Sequence, residues 1–212
     1  QSAEKLTFAG AEIVAHCFGS SCRTRMYKSD GEMANPGEIL GKVWGPAQII
    51  LSRERVLLNL IQRLSGIASA SRKYVQLAHT YDVKVLDTRK TTPGLRLFEK
   101  YAVAVGGAYN HRLNLSDGVL IKDNHISSAG SVTAALRSAT ISNLGFPLEL
   151  EVECIDQITE ALTMQVDGFL LDNMSPDLVR QAVALIRNSE AGENIFIEAS
   201  GGITDENIVS YM

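Results

Sequence analysis

From Lys84 onward the chain alternates short apolar runs with longer amphipathic segments, and this alternation most narrows the folds open to it. Runs at Lys84–Leu86, Gly118–Ile121, Leu148–Glu153, Gly168–Leu171 and Ile195–Ala199 have the length and composition of strands. Between them, Leu95–Val103, Ser131–Thr140, Asp156–Met164 and Pro176–Arg187 carry apolar residues at helical spacing, and a further helix is expected to start near Asp205. Strand and helix in strict alternation mean parallel βα units, and strands of such uniform shortness point to an α/β barrel rather than an open sheet. Five strands are clear, with a sixth if "VAVGGA" supplies one. The chain stops inside the last expected helix, so a closing strand is expected to be missing.

The first fifty residues obey a different pattern. In "KSDGEMANPGEILGKVWGPAQIIL", Gly and Pro punctuate candidate strands at Ile39–Val43 and Gln48–Leu51, which reads as a small β-containing lobe. From Ser52 the spacing turns helical, with Ser52 as N-cap, and one long helix follows, broken near Gly66. The expected division is therefore a lobe over residues 1–51 and a barrel domain over 52–212.

Composition removes several classes of function. With 212 residues, 45% of them hydrophobic and 21% charged, the chain can bury a sizeable core and is not a disordered segment. A net charge of −4 argues against a nucleic-acid partner, so any cationic site must be local. No apolar run approaches the ~20 residues of a membrane span, and "QSAEKLTFAG" lacks the order of a signal peptide. A cytoplasmic protein with no membrane partner is expected. Cys17, Cys22 and Cys154 form no CxxC pair, and His16, His79, His111 and His125 are scattered, so no preformed metal cage is expected.

The polar residues just beyond the expected strands form a pattern. They are Arg89 and Lys90, then His111 and Arg112, then Lys122, Glu153, Asp172, and Ser200 with Gly201 and Gly202. A loop after a barrel strand is where ligands bind, and guanidinium and ammonium groups on adjacent loops hold carboxylate or phosphate oxygens. The ligand should be strongly anionic. The two later carboxylates would repel it, so they suit ribose hydroxyls, a divalent ion or a developing positive charge. Glu149, Glu151 and Glu153 share one side-chain parity, so the sequence does not decide which of them reaches a ligand. The amides of "ASGGIT" suit a phosphate.

The stretches "ERVLLNLIQRLSGIAS", "DTRKTTPGLRLFEKYAVAVGGAYNHRLNLSDGVLIKDNH", "LEVEC", "DGFLLDN" and "EASGGIT" together resemble the quinolinate phosphoribosyltransferase family, from about Glu12 to the last residue. The resemblance implies an N-terminal α/β sandwich lobe, its start short here, and an open seven-stranded α/β barrel whose last strand lies outside this chain. It implies that quinolinate and phosphoribosyl pyrophosphate are converted to nicotinate mononucleotide, pyrophosphate and CO2 in NAD biosynthesis, with Mg2+ and no organic cofactor.

By the same resemblance, Arg89, His111 and Arg112 orient the two quinolinate carboxylates, while Lys90 and Lys122 hold phosphate or pyrophosphate oxygens. Glu153 and Asp172 are the ribose and metal-side carboxylates, and Lys90, Lys122, Glu153 and Asp172 form the catalytic set. Ser200, Gly201 and Gly202 form the phosphate loop. Arg55 of the ERxxLN motif enters the site of a partner subunit, which implies a homodimer or a higher oligomer. Two other readings compete: a nicotinate phosphoribosyltransferase, disfavoured by the HR and KDNH motifs, and a noncatalytic, molybdenum-transport-related homologue, disfavoured by Lys122, Glu153 and Asp172.

Overall fold

The computed structural model describes residues 1–142 and 145–212, which divide into two compact units, Gln1–His111 and Arg112–Met212. In the first unit, β1 (Leu6–Thr7) leads into α1 (Ala11–Phe18), followed by β2 (Arg23–Met26), β3 (Met33–Ala34) and β4 (Gly41–Trp44). Two small antiparallel sheets result, one pairing β1 with β3 and the other β2 with β4. Helices α2 (Ala47–Ala78) and α3 (Arg96–Val105) complete the unit. Along α2, Leu57 packs with Val14 and Phe18 of α1, and one turn and more further on Leu64 and Ala68 pack with Ala9 and Ala102. One helix thus serves two apolar clusters. Gly106, directly after α3, allows close approach, because a Cβ there would lie 2.5 Å from the Ala68 carbonyl oxygen.

The N-terminus of α1 is capped from a distance. Asp30 Oδ1 accepts the N–H groups of Gly10 (2.8 Å) and Ala11 (2.9 Å), while the Tyr101 hydroxyl donates to Asp30 Oδ2. Burial pushes the Tyr101 phenol well above its ordinary pKa, and the neighbouring Asp30 carboxylate adds to the effect.

The second unit holds β5 (Val119–Ile121), α4 (Asp123–Ala129), α5 (Val132–Ser142), β6 (Leu148–Val152), α6 (Ile155–Ala161), β7 (Gly168–Asp172), α7 (Pro176–Arg187) and β8 (Phe196–Ser200). The four strands form one parallel sheet in the order β5-β6-β7-β8. Its registers place Ile121 beside Leu150, Val152 beside Leu171 and Asp172 beside Ser200, so the carboxyl ends lie along one edge. Leu148, Leu150 and Val152 alternate onto the face packed by Leu136, Ile158, Ala182 and Ile186, which leaves Glu149 and Glu151 on the other face. Helix α7 begins as its sequence dictates: the Ser175 hydroxyl accepts the Leu178 N–H, Pro176 occupies the first helical position and Asp177 follows. Helix α5 is capped both locally, where the Ser131 hydroxyl accepts the Ala134 N–H (3.1 Å), and from α6, where Glu160 accepts the Thr133 N–H (2.7 Å) and hydroxyl (2.8 Å).

Several expectations require correction. The residues expected as a strand at Gln48–Leu51 form the first turns of α2, which starts after Pro46 rather than at Ser52. Pro46 suits the entry to a helix, and Ile50 joins the apolar stripe that continues through Leu57 and Ile61. Gly66 does not break the helix, because Leu64, Ser65 and Ala68 around it are fully buried. The strand expected at Lys84–Leu86 is reduced to one parallel bridge, Leu86 with Tyr109, and "VAVGGA" is the end of α3 and its turn. The last helix is a short 3-10 turn at Ile208–Tyr211. The α/β class holds, with a parallel four-stranded sheet among the described residues. Among those residues no helix is long and apolar enough to cross a membrane.

Removing the Asp30 carboxylate leaves the N–H of Ala11 and the Tyr101 hydroxyl without their acceptor inside the first unit. Asp30→Ala should lower unfolding stability by about 2–4 kcal/mol, and Tyr101→Phe by about 1 kcal/mol. Urea unfolding followed by circular dichroism measures both, and equal small losses would show that the cap contributes little.

Candidate active site

In the first unit, two extended segments run side by side. The Tyr109 N–H donates to the Val85 carbonyl (2.8 Å) and the Asp87 N–H to the Tyr109 carbonyl (3.0 Å). They leave this bridge in parallel, so Arg89 and Lys90 on one and His111 on the other emerge from the same end. Lys90 is exposed and Arg89 half-buried, with the Nε of Arg89 buried and without a hydrogen-bond partner among the described residues. A buried guanidinium N–H without an acceptor is costly, and an anionic ligand is the kind of group that satisfies it.

The loop that carries Arg89 and Lys90 is held from both helices. Arg96 at the start of α3 donates to the Thr91 hydroxyl (3.1 Å) and to the Arg89 carbonyl (3.2 Å). Glu99 accepts the Thr92 N–H (3.1 Å), and Arg63 on α2 donates to Glu99 (2.8 Å from Nε) and to the Thr92 hydroxyl. Gly94, at φ +79, makes the turn into α3. Burial raises the Glu99 pKa, but the hydrogen bonds from Arg63 and Thr92 together outweigh it and hold the carboxyl below its ordinary range. Arg55 lies on the exposed surface of α2.

In the second unit, Lys122, Asp172 and Ser200–Gly202 line the carboxyl edge of the sheet, whereas Arg112, expected beyond a strand end, bonds at the amino end of β5. Lys122 directly follows β5 and is the N-cap residue of α4. Its backbone N–H donates to His125 Nδ1 (2.9 Å), so the KDNH motif opens a helix rather than a turn, and its ammonium pairs with Glu151. Arg112 donates to the Gly118 carbonyl (3.0 Å). Asp172 ends β7, where the Asn173 amide donates to its Oδ2 (2.7 Å) and the Asn173 N–H to the Ser200 carbonyl (2.8 Å). Asn173 adopts φ +54, and Gly201 follows at +84. A Cβ on Gly201 would lie 2.2 Å from Asn173 Oδ1, so only glycine fits there. Gly202 continues the left-handed turn, and Asn207 closes the loop by donating to the Gly202 carbonyl (2.9 Å).

Within each unit the structure gathers what the sequence scattered: Arg89, Lys90 and His111 in the first, and Lys122, Asp172 and Ser200–Gly202 along the sheet edge in the second. Glu153 stands apart from the Lys122 pair. It lies past the end of β6, exposed, with its backbone N–H donating to Gln157 (2.7 Å). Glu151, two residues earlier, takes the position against Lys122 with its side chain 12% exposed. Sequence reasoning had the parity of these glutamates but not the strand's end, and it missed His125, whose signal was its place three residues after a helix cap.

Known families and structures resemble this chain throughout. Residues 67–212 match the family described as quinolinate phosphoribosyl transferase, C-terminal domain, and residues 1–65 its N-terminal domain. A probable nicotinate-nucleotide pyrophosphorylase (carboxylating) of Bacillus subtilis is 44% identical over 96% of this chain and 70% of its own length. The nicotinate-nucleotide pyrophosphorylase (carboxylating) of Mycobacterium leprae is 38% identical over 94% of this chain and 70% of its own. The structure of nicotinate-nucleotide pyrophosphorylase from Ehrlichia chaffeensis superposes with a TM-score of 0.91 at 37% identity, covering 99% of this chain and 76% of that one.

The Glu99 latch makes a prediction about pH. A carboxyl held below its ordinary pKa in the folded state contributes stability that is complete above the unfolded value and is lost as pH falls through the folded one. Glu99→Gln should therefore cost about 1–2 kcal/mol at pH 7, discounted for the partly exposed Arg63, and less at an acid pH below the folded-state value. Denaturant midpoints at the two pH values check this, and a difference that persists undiminished in acid would assign the loss to packing.

Proposed function

The chain belongs to the quinolinate phosphoribosyl transferase family, and on that premise we propose that it joins quinolinate to phosphoribosyl pyrophosphate, releasing nicotinate mononucleotide, pyrophosphate and CO2. The reaction belongs to pyridine nucleotide synthesis leading to NAD. The observation that carries this reading is the carboxyl edge of the parallel sheet, where a lysine, an aspartate and a Ser-Gly-Gly loop end β5, β7 and β8. Cations and backbone amides bind phosphate, and a carboxylate among them fits the sugar between two phosphate groups.

Quinolinate is a dianion, and Arg89, His111 and Arg112 orient its carboxylates. The buried Nε of Arg89 supplies the strongest reason to place an anion there. Lys90 and Lys122 hold phosphate and pyrophosphate oxygens, and the Ser200–Gly202 loop takes the 5′-phosphate. As the bond from the ribose C1 to pyrophosphate lengthens, positive charge grows on the sugar, and Asp172 and the nearby glutamates stabilise it. The pyridine nitrogen then bonds to C1 and becomes positive. The adjacent carboxylate leaves as CO2, its bonding electrons remain on the ring beside that nitrogen, and a proton takes its place. The ring nitrogen serves as the electron sink, so the chemistry uses no organic cofactor.

Asp172 and Glu153 offer only carboxylate oxygens, the donor type that Mg2+ takes, and Asp172 keeps one oxygen outside its contact with Asn173. They fit as its protein ligands, directly or through water. When bound, Mg2+ neutralises charge on the departing pyrophosphate. The functional unit is a homodimer in the cytoplasm, with Arg55 reaching the site of its partner, and neither nucleic acid nor membrane takes part.

Incubating the protein with quinolinate, phosphoribosyl pyrophosphate and Mg2+ should yield nicotinate mononucleotide and an equal amount of CO2, and the absence of both products would end this reading. The shared site has its own test. Arg55→Ala and Lys90→Ala should each be nearly inactive, whereas mixed dimers contain one intact site of two. Random exchange makes about half of the dimers mixed, so activity should return to roughly a quarter of wild type. Native mass spectrometry verifies exchange, and unrecovered activity in verified mixed dimers would place Arg55 in its own subunit's site.

A further inference from the structure

Lys100 on α3 is 3% exposed and has no part in the phosphoribosyl transfer described above. Its ammonium donates to Asp87 Oδ1 (2.5 Å) and to the carbonyl oxygen of His111 (2.9 Å). Asp87 in turn accepts the backbone N–H of His111 on the same oxygen (2.8 Å). With its amide turned to meet both neighbours, Asn110 donates to Asp87 Oδ2 (2.8 Å) and to the Lys100 carbonyl (3.0 Å). Both polar groups of the His111 main chain therefore end on a single ion pair, whose side chains are 4% and 8% exposed. Asp87 also stands two residues before Arg89, at the end of the extended segment bridged to Tyr109.

Stability alone is a poor reason for such a pair. Burying two charges costs several kcal/mol of solvation for each ion, and apolar residues of equal volume often serve the fold as well. What an apolar pair lacks is direction. A carboxylate and an ammonium that share hydrogen bonds with one peptide unit fix its position, and a displacement of about 1 Å at a substrate-orienting residue is enough to cost a large factor in rate. We propose that Asp87 and Lys100 are positioning residues for recognition of the pyridine dicarboxylate: they hold His111 and, through the two-residue link, Arg89 at the spacing its carboxylates require. This inference rests on the assignment of His111 and Arg89 to quinolinate.

Three variants test it. Lys100→Met/Asp87→Asn removes both charges together and leaves an acceptor for the His111 N–H. Asn110→Ala loosens the clamp without stranding a buried charge, and Lys100→Met alone should be the least stable. In the double variant, the KM for quinolinate should rise about tenfold, and in Asn110→Ala about threefold, with the KM for phosphoribosyl pyrophosphate changing less than twofold. Amide exchange supplies a readout independent of turnover. The His111 amide should be protected in the wild type and exchange at least about tenfold faster in the double variant, while the amides of α7 keep their rates. Folded variants with unchanged quinolinate KM would overturn the proposal, as would KM values that rise equally for both substrates. If the double variant does not fold, Asn110→Ala decides by the same criteria. Wild-type protein that binds no quinolinate would fail the functional reading instead, and the exchange rates of His111 would still judge the clamp.

Discussion

Parallel strands must point their carboxyl ends the same way, and each must pair its whole backbone with neighbours whose register is fixed by the buried face. In the second unit, Leu148, Leu150 and Val152 can reach the helices only if β6 sits in one register, and the same holds for Phe169 and Leu171 on β7. Once those apolar positions are satisfied, the residues that end each strand have no freedom left. Asp172 comes to rest beside Ser200, and Lys122 beyond β5 reaches Glu151 on β6. The chemistry of this edge is therefore a consequence of hydrophobic alternation several residues away.

The first unit solves a different problem. Its candidate residues sit on loops, and a loop holds a shape only if its backbone groups find partners. The partners come from α2 and α3, whose close contact at Ala68 and Gly106 lets Arg63 and Glu99 pair and together hold Thr92 of the loop. The Arg96, Glu99 and Lys100 side chains spend their charge on neighbouring backbone and carboxylates, whereas the buried Arg89 Nε faces no acceptor among the described residues. The charge consumed in this unit holds the shape of the loop.

This division explains how an acidic protein handles anionic substrates. A net charge of −4 does not describe the field at the site, because Glu99 and Asp87 are each tied to a cation and contribute little beyond it. Glycine has an equally local purpose. At Gly201 the Asn173 side chain occupies the space of a missing Cβ, so a single small residue lets the Ser200–Gly202 loop and the end of β7 interlock.

The sequence by itself determined the α/β class, the helix Pro176–Arg187, and the strands of the parallel sheet to within one residue, because period and short apolar runs are local signals. It also determined which residue types stand beyond those strands, and the motifs there carried the family. Tertiary structure decided the rest. Gln48–Leu51 became helix because Ile50 joins a stripe that packs on α1, a benefit no window of four residues contains. Lys84–Leu86 lost its strand because, among the described residues, only Tyr109 bridges to it, and pairing belongs to two segments rather than one. Among three glutamates of equal parity, the β5–β6 register, with Ile121 beside Leu150, brought Glu151 rather than Glu149 to Lys122, and the end of β6 at Val152 left Glu153 outside the strand. Parity is written in the sequence. The end of a strand is set by the neighbours that stop supplying hydrogen bonds, and those come together only in the folded chain.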